Sequence, residues 1–98
     1  MGETYIVNRI DLKKMLTMLK VSDKSIDELE SNLNRMHRHV DAVAFVGMLQ
    51  KLGIKQNDIM NMLRRIGIDD ISITNVLTAL DEEKISATFG KVVVLNIE

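Results

Sequence analysis

The feature that most constrains this chain is a short internal repeat. Residues 52–63 (LGIKQNDIMNML) align with residues 66–77 (IGIDDISITNVL) at an offset of 14, with Gly, Ile, Ile, Asn and Leu identical. Two further positions are conservative exchanges, and a weaker copy covers 19–29 (LKVSDKSIDEL). Each copy reads as the end of one helix, a tight turn, and the start of the next. Such a chain stacks short helices.

The segments around the repeat fill in the remaining elements. Residues 3–7 (ETYIV) favour a short strand by their β-branched and aromatic content. A helix follows over about 10–20, with Leu12, Met15, Leu16 and Leu19 on one face. Ser25 with Glu28 three residues later has the capping-box pattern, which predicts a second helix start. From there Ile26, Leu29, Leu33, Met36, Val40 and Val43 alternate at spacings of three and four, a narrow heptad seam flanked by polar faces. Two readings fit that seam. It packs on the chain's own core, or Ile26, Leu29, Leu33 and Met36 pair with a second copy to make a homodimer. The span 25–52 is either one helix or two joined near residues 39–41.

Beyond Asp41 the pattern becomes apolar enough for the centre of the fold, and Gly53 sits where helices commonly stop. Further helices are predicted over about 56–66 and 70–83, with Phe45, Met48, Leu49, Leu52, Ile59, Leu63 and Leu77 in the core. In the tail, residues 85–89 and 92–97 flank Gly90-Lys91 and read as a β-hairpin that the N-terminal strand can join. The expected fold is thus one mainly α domain, a compact bundle of four to five short helices with a small C-terminal β-hairpin.

The repeat copy at 52–63 lies in a segment that resembles the helix-turn-helix of bacterial and phage transcription regulators. Gly53 fills the turn, and Met48, Leu52, Ile54, Ile59 and Met62 fill the apolar positions through which the two helices pack. Where the family usually carries a small residue at the crossing, this chain has Leu49. The resemblance implies a first helix over about 43–52, a recognition helix over about 56–65, and double-stranded DNA as the partner. The outward residues of that second helix suit the role. Gln56, Asn57 and Asn61 can bond base edges, and Lys55, Arg64 and Arg65 can neutralise phosphates. The equivalent frame around Gly67 begins with Asp69 and Asp70, which a phosphate backbone repels. A helix pair followed by a hairpin also resembles the winged-helix form, in which Lys84 and Lys91 would touch phosphates from the wing.

Composition narrows the alternatives. There is no Cys, and no apolar run approaches the roughly 20 residues of a membrane span, so a cytoplasmic protein with no membrane partner is expected. Residues 1–11 carry acids and no apolar stretch of the kind a signal peptide needs. Thirteen basic residues against 14 acidic ones leave a net charge of −1, which argues against purely electrostatic binding to nucleic acid. Three aromatic residues (Tyr5, Phe45 and Phe89) are too few for a single-strand stacking platform. His37, His39 and Asp41 form the one candidate metal cluster, but residues two apart point to different sides of a helix. No nucleophile, base and acid are spaced as a catalytic set, so neither an enzyme nor a cofactor is expected. The alternative to DNA binding is a non-enzymatic modulator that docks a larger protein, its acidic 69–70 and 81–83 clusters complementing a basic partner.

Overall fold

The computed structural model describes residues 3–82 and 93–98. Its elements run β1 (Glu3–Val7), α1 (Arg9–Met18), α2 (Asp23–Arg35), β2 (His39–Asp41), α3 (Ala42–Lys51), α4 (Gln56–Ile66), α5 (Asp70–Glu82) and β3 (Val93–Ile97). The protein is mainly α with a small sheet. The proposed first hairpin strand at 85–89, Lys84 and Lys91 all lie outside the described residues.

The three copies of the repeat make the same turn. Lys20, Gly53 and Gly67 occupy one repeat position, and all three take left-handed backbone, with φ of 65°, 83° and 106°. The N–H of each donates to the carbonyl three residues back: Thr17 (3.0 Å), Gln50 (2.9 Å) and Arg64 (3.0 Å). The next residue, Val21, Ile54 or Ile68, donates to the carbonyl five back: Leu16 (3.1 Å), Leu49 (3.3 Å) or Leu63 (3.1 Å). This paired arrangement satisfies carbonyls that a helix end otherwise leaves open. Helix α2 ends the same way, with His37 N–H donating to Asn34 and Arg38 N–H to Leu33, although no glycine is present. Left-handed backbone costs a side chain-bearing residue roughly 1–2 kcal/mol. Around Gly53 and Gly67 the space where a Cβ would stand is open, so backbone strain alone decides a substitution there. Gly67→Ala is therefore expected to lower stability by about 1–2 kcal/mol, and Lys20→Gly to raise it by up to about 1 kcal/mol. Urea unfolding followed by circular dichroism reads both.

Helix starts follow the repeat as well. The position two after each turn residue is Ser22, Lys55 or Asp69. The Ser22 hydroxyl accepts the Ser25 N–H (3.2 Å), and Asp69 Oδ1 accepts the Ser72 N–H (2.7 Å). Lys55 makes no side-chain cap. Helix α2 thus begins earlier than the Ser25–Glu28 pattern suggests, because Ser22 caps it and Ser25 is its N3 residue.

The 25–52 region is two helices, not one. Consecutive left-handed residues His37 (56°) and Arg38 (61°) stop α2. Residues 39–41 then form a strand, and Asp41 caps α3 by accepting the Val43 N–H (2.7 Å). The sheet order is β1-β3-β2, with β3 parallel to β1 and antiparallel to β2. The N-terminal strand thus does join the tail strand, as anticipated.

One core joins every layer. Ala42, Phe45, Val46 and Leu49 of α3 are fully buried, as are Ile59 and Leu63 of α4 and Leu95 of β3. Met48, Leu52 and Leu77 are half-buried and pack against this cluster. Helix α3 packs chiefly on α5 and also contacts α4, β2 and β3. The heptad seam of α2 is absorbed in the same core: Ile26, Leu29 and Leu33 are 1–2% exposed. They fill the chain's own interior and offer no surface to a second copy. Of the four residues assigned to a dimer seam, only Met36, at 40% exposure, reaches solvent, because it lies at the helix end where the chain turns away.

Candidate nucleic-acid interface

The α3–turn–α4 unit sits where the sequence pattern puts it, with α3 ending at Lys51 and α4 starting at Gln56. Helix α4 buries Ile59, Met62 and Leu63 and is strongly amphipathic. Its other side is polar: Lys55, Gln56, Asn57, Asn61, Arg64 and Arg65 are all exposed. At 3.6 residues per turn, Asn57, Asn61 and Arg64 form one outward stripe.

The six residues do not act as one patch. Asn61 and Arg64 are tied together, since Arg64 Nη1 donates to Asn61 Oδ1 (3.3 Å). Arg64 Nε also donates to Asp70 Oδ1 across the α4–α5 turn (3.0 Å). Both partners of that ion pair are largely exposed, so it adds at most about 1 kcal/mol to stability. Its main effect is orientation: it fixes the guanidinium plane and uses one of its donors. Lys55 stands at the opposite end of α4, in a cleft with Lys20 and Val21 of the α1–α2 turn, Gly53, and Asp58. Arg65 borders a different cleft, together with Ile6, Val7, Asn8, Asp11 and Met15. Each basic residue of α4 therefore has a carboxylate in its neighbourhood.

Two other features bear on the surface. Tyr5 donates to the Glu3 carboxylate (2.5 Å), and its phenol is pushed up to about 12. The hydrogen bond to Glu3 is the largest cause, followed by burial and the charges of Glu3 and Asp69. The segment 34–39 is exposed throughout and carries Arg35, His37, Arg38 and His39. Strand β2, which begins at the end of this stretch, has no periodic signature, because three residues are too few to establish a period. The available signal was Val40 between two polar neighbours, just ahead of a capping Asp41. Among the described residues no group of three or more His, Asp or Glu side chains is arranged to hold a metal ion. Among them, too, no helix is long and apolar enough to cross a membrane. The chain matches no protein-family model, no curated protein and no solved structure.

Proposed function

We propose that this protein is a small DNA-binding regulator that presents α4 to the major groove of a duplex. The observation that carries the reading is the outward stripe of Asn57, Asn61 and Arg64 on a helix held by a buried α3 through the Gly53 turn. The two amides match the donor and acceptor pattern of base edges, and the guanidinium beside them suits a flanking phosphate. Lys55 supports the same reading. It stands where the other two repeat copies carry a capping Ser or Asp, so stability is given up to keep a cation at the end of α4.

That departure yields a two-sided test. Lys55→Asp supplies the missing cap and an acid at the positive helix end, and is expected to raise stability by about 1 kcal/mol. The same change is expected to weaken duplex binding and flatten its salt dependence by about one unit. Thermal melting and fluorescence anisotropy with a mixed-sequence duplex read the two effects. If affinity rises together with stability, α4 does not face phosphate. In a selected site, Asn57→Ala is expected to cost about 1–3 kcal/mol at one base position and relax preference there. A wild-type chain that leaves duplexes of every sequence unbound at low salt rejects the reading outright.

A second reading is favoured by the Asp70–Arg64 pair and the neighbouring Ile71, which is 76% exposed. An acid and an apolar side chain beside the stripe suit a protein partner better than a phosphate backbone. Asp70→Asn separates the two readings. It strengthens duplex binding if α4 meets DNA, by removing a repelling carboxylate.

A further inference from the structure

The end of the sheet at the C-terminus of β3 gathers basic side chains from segments far apart in sequence. The Ile97 N–H donates to the Arg38 carbonyl (2.8 Å) on the β2 side. On the other side Ile97 is in register with Val7 of β1. Arg38 and Val7 are thus two strand spacings apart, about 10 Å. The Arg9 N–H donates to the Glu98 carbonyl (2.6 Å), which brings the first turn of α1 to the same end. Val7 and Arg65 also line one cleft. Arg9, Arg38 and Arg65, from α1, the α2–β2 turn and α4, therefore border one end of the sheet formed by the described strands. Arg35 lies one turn before Arg38, and the acids at this end are Asp11 and Glu98.

The backbone adds a separate indication. Glycine relieves left-handed strain at the turns following α3 and α4, yet at His37 and Arg38 the chain holds two consecutive basic residues in that conformation. Turning alone is served better by glycine there. Both side chains stand on a segment exposed from Asn34 to His39. Arg38 Nε donates to Asn34 Oδ1 (3.2 Å), which orients the guanidinium.

We propose that this arginine-bordered sheet end, with Arg9 and Arg38 as its key cations, is a phosphodiester-binding surface that grips the duplex backbone beside the segment α4 reads. The proposal rests on the DNA-binding reading and extends it to two residues outside α4. Arg65, already assigned to phosphate, then belongs to this surface. The arrangement supplies sequence-independent affinity that a chain of near-neutral net charge otherwise lacks.

The test is a salt titration of binding to a mixed-sequence duplex by fluorescence anisotropy, with circular dichroism melts run on each variant. Arg38→Gly removes the charge and also the left-handed strain, so it is expected to fold at least as well as the parent chain. Arg9→Gln and Arg38→Gly are each expected to flatten the slope of log K against log salt by about one unit, and the double variant by about two. Lys24→Gln, about 17 Å from Arg35 along α2, is the control and is expected to leave the slope unchanged. If Arg64→Gln flattens the slope but the Arg9 and Arg38 variants do not, the sheet end is not a phosphate site and the reading of α4 stands. If Lys24→Gln flattens it equally, the attraction is diffuse and the assignment is overturned. If the parent chain binds no duplex at low salt, both readings fall together.

Discussion

Leu33→Glu is expected to unfold the protein, and Met36→Glu to leave it folded. The two residues are three apart on one apolar seam, so their sequence spacing treats them alike. Their surroundings differ. Leu33 is 2% exposed in the common core, whereas Met36 is 40% exposed at the end of α2. A carboxylate at position 33 is an unpaired charge in an apolar interior, and the chain also loses the leucine contacts. Together these exceed several kcal/mol, against a total stability of roughly 5–15 kcal/mol for a domain of this kind. Circular dichroism and urea unfolding decide the matter. A Leu33→Glu chain that keeps its helices and a cooperative melt would mean that the seam lies at a surface after all.

Phe45→Ala is the second large effect. Among the described residues Phe45 is the largest fully buried side chain, and it lies at the middle of α3, which contacts α4, α5 and two strands. Truncating a buried phenylalanine costs about 3–5 kcal/mol from lost transfer energy and the cavity left behind. The variant is expected to melt well below the parent chain. Phe45→Leu, which keeps most of the volume, is expected to lose far less. Equal losses for both would point to something other than packing at that position.

These two substitutions also mark what could be read from the residues alone. The helical stack, the Gly53 and Gly67 turns and the extent of α4 follow from the repeat, because glycine after a periodic apolar run has a local physical meaning. Phe45, Leu49, Ile59 and Leu63 were legible as core for the same reason. The fate of the Ile26–Leu33 seam was not. Spacing tells which side chains share a face but not what covers it, and here the cover comes from elements distant in sequence. Left-handed backbone at Lys20 and Arg38 has no sequence signature, because neither residue is of a type that favours that conformation. Strand β2 was hidden because its pairing partner, β3, comes more than 50 residues later. In the candidate site, the six polar residues of α4 were found on the solvent side, as their period requires. The Asp70 partner of Arg64 and the cleft that Arg65 shares with β1 depend on tertiary placement that no local pattern records.

The position of β3 between β1 and β2 has a consequence for how the chain is made. Glu3 pairs with Val93, which follows 90 residues later. Synthesis runs from the N-terminus, so β1, α1, α2 and β2 emerge from the ribosome well before the strand that joins them. During that interval the two outer strands have no ladder partner, and Leu95, fully buried in the finished core, is still missing. Closing so long a loop carries an entropic cost before any of its contacts form, which favours late assembly of the sheet. Nascent chains halted before residue 93 should therefore be helical but loosely packed, and easily cut by protease, until the last strand is released to them.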